Sequence, residues 1–343
     1  MRSTSVLSRK SLDPNRTAAR MSRAILSRTA DLVLPERGCL LTFHRAARSA
    51  DWPTQPNRGF HLDLHYLERL LQHLQRTGWD IVTIDEAIRR SAQPGSGRFV
   101  NFSIDDCYRD TAELVVPLFR RLGAPVTLYI TTGLLDGTLR LRDAGLETIL
   151  LNEERVSDDD QTYDVSTAAA KRAVFTKLSR KWDGPHGDAV YEHFCVRHGY
   201  NPDALDDQHR LTLAMLNTLR DERLVEFGAH TMSHPRIAAL DANAAMRELA
   251  GCRERLEAAL DRPIRHFAFP YGRRNDCGER DFEIARMAGF ASAATTRKGL
   301  IVPGIDPYSL PRNTLRGEHR ALAIAYAHLI GVSGAAAWAL RRD

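Results

Sequence analysis

The sequence predicts an α/β protein in which parallel strands alternate with helices. Short runs of β-branched and aromatic residues, such as 39–43 and 124–131, are separated by stretches with helical periodicity. The 343 residues are 43% hydrophobic, which is enough for a sizeable core. This alternation is typical of a barrel or an open sheet, and the pattern alone leaves both open. In either architecture, the functional site lies at the carboxyl ends of the strands.

The first half of the chain contains four predicted strands, which cover residues 39–43, 79–84, 99–104 and 124–131. A helix is predicted at 61–78, and its residues His61, His65 and His73 are expected to be surface or packing residues. Shorter helices are predicted from Asp85 and up to Gly123.

Between residues 133 and 223 the alternation stops, and a long, polar, helix-favouring stretch follows. We predict a helical insertion at about 136–222 that lies over the mouth of the site. Two roles fit it equally well: substrate selection by Trp182, Tyr191 or His193, or stabilisation of the rim.

The second half resumes the alternation, with a strand before His230, a helix at 241–260, and strands on either side of a helix that ends at Ala288. Residues 310–313 are predicted to be the last backbone near the site. We find no internal repeat.

Two adjacent carboxylates, Asp105 and Asp106, follow the strand at 99–104. Successive side chains on a strand point to opposite sides, so the two acids have different roles unless the backbone turns between them. His230 and His234 follow another apolar run, and their spacing lets both imidazoles bind one ion if the segment turns helically. An isolated acid pair would more often cap a helix, so the combination carries the argument.

Four segments resemble the motifs of a known family, and three of them, the acid pair, the His pair and the Pro-Tyr-Gly turn, follow in the family order. The stretch SIDDCYRD at 103–110 is similar to the Asp-Asp motif of the polysaccharide deacetylases (carbohydrate esterase family 4, the nodulation chitooligosaccharide deacetylase homology domain). HTMSH at 230–234 and FAFPYG at 267–272 are similar to the His-Ser/Thr-x-x-His motif and the third motif. LLTFHR at 40–45 is similar to the first strand of many members. The resemblance covers about 38–313.

The resemblance implies a distorted (β/α) barrel of about seven parallel strands, with the insertion between the acid-pair half and the His-pair half. It also implies a metal-dependent hydrolase that removes N-acetyl groups from a polysaccharide or oligosaccharide. Asp105 would be the general base that activates a metal-bound water. Asp106, His230 and His234 would bind a divalent metal, with Zn²⁺ expected and Co²⁺ or Ni²⁺ as alternatives.

Five residues are predicted to contact the substrate: Pro270, Tyr271, Gly272, His44 and Arg312. The turn at 270–272 would shape the sugar pocket, and the amide of Tyr271 would stabilise the developing oxyanion.

Two residues of the family pattern, an arginine and a late histidine, are missing from their usual positions in this chain. The Arg that often precedes the third-motif turn, and tunes the catalytic acid, is replaced by Ala268, and Arg312 or Arg273 is the candidate substitute. The late Leu-x-His motif with the general acid is not evident, so His44 and His319 are the candidates for that role.

The domain assignment follows from these patterns. Residues 1–37 are rich in Ser and Arg without the apolar core of a signal peptide, so we predict a partly disordered or helical tail. Residues 38–320 form the predicted barrel with its insertion. Residues 321–343 are Ala-rich and too weakly hydrophobic for a typical membrane span, so we predict a packed helix.

Charge and cysteine content constrain partners and compartment. The net charge is +5, but acids and bases are interspersed, so we expect no nucleic-acid partner and leave the oligomeric state open. Five cysteines without a C-x-x-C pair indicate reduced thiols, and Cys107 stands where the family commonly has Gly. We predict a cytoplasmic protein, with peripheral contact at the inner membrane face as the alternative.

Two further hypotheses remain beside polysaccharide deacetylation. One is hydrolysis of a non-peptide C–N bond in a small amide or cyclic imide. The other is a degenerate carbohydrate-binding protein that keeps the fold and the metal; the presence of Asp105 argues against it, because a metal site alone does not need that acid.

Overall fold

The computed structural model describes residues 37–333 except 94, 160 and 185. The strands in this part are β1 (Arg37–Phe43), β2 (Arg45–Ala47), β3 (His61–Asp63), β4 (Asp80–Ile81), β5 (Arg98–Ile104), β6 (Val126–Ile130), β7 (Arg155–Ser157), β8 (Thr162–Asp164), β9 (Val225–Ala229), β10 (His266–Ala268), β11 (Ser292–Ala294) and β12 (Asn313–Thr314).

The α-helices of the same part are α1 (Leu64–Arg76), α2 (Ile84–Ser91), α3 (Val116–Arg121), α4 (Thr132–Asp136), α5 (Arg142–Asn152), α6 (Ala168–Lys181), α7 (Gly187–Arg197), α8 (Pro202–His209), α9 (Leu213–Leu219), α10 (Ala242–Leu260), α11 (Glu279–Met287) and α12 (Leu322–Leu329). A π-helical turn at Thr111–Val115 leads into α3.

Seven parallel strands curl into a half-barrel in the order β11-β10-β9-β6-β5-β1-β12, and β4 lies beside the amino-terminal half of β5. Leu310 bridges to Ala294 of β11, while Asn313 of β12 pairs with Leu41 of β1. The short segment 310–314 therefore lies between the two edges of the sheet. The predicted architecture, a distorted (β/α) barrel of about seven parallel strands, is confirmed.

Alternation along the strands separates an outer layer from a barrel interior. The outward side chains pack with the helices in one large cluster, which includes Leu41, Phe102 and Leu128. The inward apolar side chains form a smaller cluster, which includes Leu40, Phe99, Tyr129, Ala268 and Ala294. Polar side chains occupy the remaining inward positions, so they lie inside the barrel at either end of this apolar layer.

The insertion has a hydrophobic core of its own. Helices α5 to α8 and the antiparallel β7–β8 hairpin enclose a cluster that contains Trp182 and Tyr191, which are 2% and 0% exposed. These two side chains therefore support the insertion internally, whereas His193 is exposed and lies on its outer side beside Arg197. The predicted roles of the insertion were substrate selection and stabilisation of the rim. The burial of Trp182 and Tyr191 favours the stabilising role for these two residues.

One helix begins later than the sequence indicates. The predicted helix at 61–78 is a short strand, β3, followed by α1, because the Asp63 carboxylate accepts hydrogen bonds from the amides of His65 and Tyr66 as an N-cap. His61 thus lies on a strand and not on the helix with His65.

Residues 1–36 of the predicted N-terminal tail and the last ten residues of the Ala-rich segment lie outside the described residues, and residue 37 begins β1. Within the part that is described, α12 opens the Ala-rich segment. No helix there combines the length and the apolar character that crossing a bilayer requires.

Candidate active site

The two adjacent acids separate because the backbone turns between them. Asp105 continues the line of β5, and its amide donates to the carbonyl of Phe43 at 3.1 Å. Asp106 and Cys107 then adopt left-handed φ values of 66° and 67°. Such a conformation costs a non-glycine residue on the order of 1–3 kcal/mol, so the surrounding structure has to enforce it. The turn directs the two carboxylates to different neighbours.

Asp105 forms a buried, two-pronged ion pair with Arg312. The guanidinium donates to Oδ1 at 2.6 Å and to Oδ2 at 2.8 Å, and both side chains are almost fully buried. Arg312 is held by further bonds to the hydroxyls of Thr42 and Ser103 and to the carbonyl of Thr295. Arg312 is therefore behind Asp105, in the position of a residue that tunes the acid, and does not face the solvent as a substrate contact would.

The charge of Arg312 decides the protonation state of Asp105. Burial raises the pKa of the carboxyl, but Arg312 opposes this effect through its charge and its hydrogen bonds, and the net pKa of Asp105 lies below its ordinary value. The carboxylate is consequently ionised at neutral pH and can accept a proton.

Asp106, His230 and His234 form a compact cluster. Oδ1 of Asp106 lies 3.5 Å from Nε2 of His230 and 3.2 Å from Nε2 of His234, and it makes no hydrogen bond of normal geometry with the described residues. His230 Nδ1 is 2.7 Å from the carbonyl of Ala268, so its N–H donates there and leaves the Nε2 lone pair directed at the cluster. An open oxygen beside two such nitrogens fits a divalent metal ion.

The segment between the two histidines is not helical. Thr231 and His234 have left-handed φ values of 69° and 57°, and the hydroxyl of Thr231 accepts a hydrogen bond from the amide of His234. The expected convergence of the imidazoles therefore occurs, but through a tight loop after β9 and not through a helical turn.

The protonation of the cluster follows from burial and charge. Burial raises the pKa of Asp106, but His234 opposes this effect through its charge and its hydrogen bond, and the net pKa lies below the ordinary range. Burial lowers the pKa of His230 to about 4, which keeps this imidazole neutral. Burial also lowers the pKa of His234, yet the adjacent Asp106 carboxylate raises it above the ordinary value.

The turn at 270–272 places an aromatic side chain beside the cluster. Tyr271 is 46% exposed, and its ring centroid is 5.0 Å from that of His234 and 4.8 Å from the guanidinium carbon of Arg236. Pro270 and Gly272 are buried under it. Gly272 has a φ of 69°, and a Cβ there would lie 2.7 Å from the amide nitrogen of Thr296, so only glycine fits.

His44 and His319 occupy different regions. His44 follows β1, stacks on Phe60 with ring centroids 4.3 Å apart, and is close enough to interact electrostatically with both acids of the pair. His319 lies beside His328, with ring centroids 6.0 Å apart. Of the two candidate general acids, His44 is thus the one at the acid pair.

Cys107 does not belong to the Asp-His-His cluster. Its buried thiol donates to the carbonyls of Ile104 and Tyr129, each at 3.6 Å. Burial raises the pKa of this thiol well above its ordinary value, and the two carboxylates raise it further, so it stays protonated. The thiol holds the turn in place.

A buried network that the sequence did not reveal attaches the insertion beside the acid pair. Arg45 bonds to Asp110 at 3.2 Å and to Glu147 of α5 at 3.3 Å, and His61 bonds to both oxygens of Glu147. Tyr108, two residues after Asp106, also bridges to Arg210 at the end of the insertion. His61 was expected to be a surface or packing residue; its partner is 86 residues away, and nothing local in the sequence indicates it.

Together, a half-barrel with an ion-paired carboxylate beside an Asp-His-His cluster at the carboxyl ends of its strands defines a hydrolase-type site. Residues 92–290, more than half of the chain, match the family model for polysaccharide deacetylase. The chain therefore belongs to the polysaccharide deacetylase family and is a deacetylase, a hydrolase of carbon–nitrogen bonds other than peptide bonds. No curated protein sequence matches it.

Solved structures of deacetylases share the fold. The Streptococcus pyogenes deacetylase PplD, solved with acetate, is 15% identical with a TM-score of 0.55, over 82% of this chain and 94% of that one. The de-N-acetylase of Aggregatibacter actinomycetemcomitans is 13% identical (TM-score 0.55; 84% and 99% covered), and IcaB of Ammonifex degensii is 17% identical (0.52; 85% and 97%). Identities this low establish a common fold alone.

Proposed function

We propose that this chain removes N-acetyl groups from a polysaccharide or oligosaccharide in a metal-dependent reaction with Asp105 as the general base. The observation that carries the proposal is that the two acids of the pair have different partners. Asp105 is bound by Arg312 at 2.6 and 2.8 Å, whereas Asp106 has an open oxygen beside two imidazoles. One acid is therefore suited to proton transfer and the other to a metal.

The metal ligands of the proposal are Asp106, His230 and His234, which leave further coordination positions open. A divalent ion bound there supplies Lewis acidity, which polarises an amide carbonyl and lowers the pKa of water. Two imidazoles and one carboxylate suit Zn²⁺, with Co²⁺ and Ni²⁺ as alternatives.

The other residues act on protons and on the position of the substrate. Asp105 accepts the proton of the attacking water, and Arg312 keeps its carboxylate ionised and fixed in orientation. His44 donates a proton to the leaving amine. The amide of Tyr271 stabilises the negative charge that develops on the carbonyl oxygen, and the exposed Tyr271 ring provides a face for a sugar.

The position of Arg312 weakens the case for a small amide or cyclic imide as substrate. That hypothesis rested on a missing arginine and a missing late histidine. Arg312 contacts Asp105 from the segment directly before β12, and His44 lies at the acid pair. No contact in the described residues favours the binding-only alternative either.

Acetate release from a panel of N-acetylated oligosaccharides tests the proposal. Chelation should abolish release, and Asp105→Asn should lower kcat about 10²- to 10⁴-fold while the metal content is retained, because only the general base is lost. The control is Asp80→Asn, an exposed acid of β4, which should keep full activity.

Asn at position 105 leaves Arg312 buried with a weaker partner, so folding is checked by near-UV circular dichroism. Folded, metal-loaded protein that releases no acetate from any sugar would refute the deacetylase proposal. Release that survives Asp105→Asn would refute the base assignment alone. Cell fractionation tests the predicted cytoplasmic location and its peripheral alternative.

A further inference from the structure

A second polar cluster lies inside the half-barrel at its amino end, opposite the candidate active site. It consists of Asp85 at the start of α2, Glu226 of β9 and His266 of β10. One carboxylate oxygen of each acid and one imidazole nitrogen lie within 4.8 Å of one another, as do the ligand atoms of the Asp106 cluster. The inward-facing Tyr129 lies between the two ends of the interior, and Asp85 is exposed at the amino end, with 47% of its side chain accessible to solvent.

His266 is the least compensated member of this cluster. The residue is 2% exposed, yet its Nε2 makes no hydrogen bond of normal geometry with the described residues and lies 3.2 Å from Oδ1 of Asp85. Its Nδ1 is 2.9 Å from the hydroxyl of Ser292. A cation bound between the two acids would select the tautomer in which Nδ1–H donates to that hydroxyl and the Nε2 lone pair faces the ion, which is the arrangement of a metal-ligating histidine with its orienting partner.

Glu226 is already fixed by the backbone that surrounds it. Its Oε2 accepts from the amide of Ile84 at 2.6 Å and from the hydroxyl of Thr127 at 3.1 Å. Its Oε1 accepts only a long bond of 3.3 Å, from the amide of Asp85. A carboxylate oxygen has two lone pairs, so Oε1 can ligate an ion without losing an existing bond.

The charges of the cluster leave it anionic. Arg265 approaches the other oxygen of Asp85, Oδ2, at 3.4 Å from the outer side and leaves Oδ1 for the cluster. Two carboxylates against this one guanidinium give the acidic side chains of the cluster a net negative charge. A divalent cation would balance that charge and satisfy Nε2 of His266.

We propose that Asp85, Glu226 and His266 form a second metal site, which binds a divalent first-row transition-metal ion at the amino end of the barrel. One imidazole and two carboxylates form a ligand set that Zn²⁺ and related ions accept. The site is structural, since it connects the start of α2 to two neighbouring strands and is remote from the carboxyl ends where the reaction takes place.

The test uses the full chain with the first cluster removed by His230→Gln and His234→Gln. Zn²⁺ is titrated against a chromophoric chelator at neutral pH, and one equivalent should still bind. Adding Asp85→Asn should weaken that binding at least about 10-fold, since a ligand is lost, and Ser292→Ala should weaken it about 10- to 100-fold through the orienting bond. Asp80→Asn, at the same end of the barrel, is the matched control and should change nothing.

X-ray absorption at the zinc edge identifies the ligands independently. The spectrum of the double-His variant should show a nitrogen and oxygen shell without sulfur, because the five cysteines are not part of the site. The proposal is overturned if this variant binds no Zn²⁺, or if its Zn²⁺ affinity is unaffected by Asp85→Asn combined with Glu226→Gln. If the double-His variant does not fold, the intact chain should bind two equivalents of Zn²⁺ and its Asp85→Asn, Glu226→Gln form one; equal numbers of bound ions in the two forms would refute the second site.

Discussion

The carboxyl end and the amino end of the half-barrel contain the same types of side chain but hold them differently. At the carboxyl end, Asp105 is fixed by the buried charge of Arg312, and Asp106 faces two imidazoles. At the amino end, Glu226 is fixed by backbone amides at the start of α2. A charge partner controls the protonation of an acid, whereas backbone donors chiefly control its position. The proposed function and the proposed second metal site thus predict that substitutions at the carboxyl end change proton transfer and that substitutions at the amino end change stability.

The largest effect is expected from Arg312→Met. Loss of Arg312 leaves Asp105 buried without its ion pair, which should lower the free energy of unfolding by about 3–5 kcal/mol. Burial would then raise the pKa of Asp105, so the base would be protonated at neutral pH and kcat should recover as the pH rises. Denaturant unfolding and a pH–rate profile measure both, with the exposed Arg316→Met as control. A pH–rate profile that is the same in the variant and the parent would show that Arg312 does not control the protonation of Asp105 during the reaction.

The next effect concerns the proposed general acid. His44→Gln should lower kcat about 10²-fold, or about 2.7 kcal/mol in the barrier, with little change in stability, because the lost proton transfer acts on turnover. His65→Gln, an exposed position on α1, is the matched control. Equal rates for the two variants would exclude His44 from proton transfer.

Acid should destabilise the protein through the carboxyl-end network. Burial raises the pKa of Glu147, but the lowering effects of His61 and Arg45 act against it. The net pKa of Glu147 is below its ordinary value. The stability that this carboxylate contributes is full above about pH 4.3 and is lost as the pH falls through the folded pKa, at about 1.4 kcal/mol per unit of lowering.

Glu147→Gln should therefore flatten the decline of unfolding free energy on acidification, whereas Glu154→Gln, an exposed acid of the insertion, should not. Denaturant titrations across this pH range measure the slope. A decline that is as steep in the Glu147→Gln variant as in the parent would place the acid sensitivity elsewhere.

The smallest effect is expected at the amino end. The Thr83 hydroxyl accepts the amide hydrogen bond of Glu86 at 3.2 Å as the N-cap of α2. Thr83→Ala should lower the free energy of unfolding by about 1 kcal/mol and leave kcat unchanged. Denaturation and acetate release measure the two quantities; a fall in kcat would contradict the separation of the two ends.

The sequence predicted the elements that local patterns encode. Apolar runs located β1, β5, β6 and β9, and the polar residues directly after β5 and β9 marked the carboxyl end of the sheet, where Asp105 and His230 lie. The motif order identified the family because the motifs are short, contiguous stretches. Apolar runs and contiguous motifs are formed by residues that are close together in the sequence, so the sequence alone is enough to find them.

Contacts between distant segments were beyond that reasoning. Arg312 and Arg273 were the two candidates for the arginine that tunes Asp105. Only the structure distinguishes them, because the answer depends on which segment packs between the two edges of the sheet, next to β1 and β5. The network of Glu147 with Arg45 and His61 depends on how the insertion packs, which no local pattern specifies. The loop between His230 and His234 depends on left-handed residues that the sequence does not mark with glycine.

The segment 310–314 has a kinetic consequence. It contributes Arg312, pairs with both sheet edges, and is 207 residues away from Asp105 in the chain. Closing so long a loop is entropically costly and typically late in folding. Asp105 would then acquire its ion-pair partner among the last events on the folding pathway, and a nascent chain released before residue 312 would be without that partner. Catalytic competence should accordingly lag behind the burial of the core during refolding.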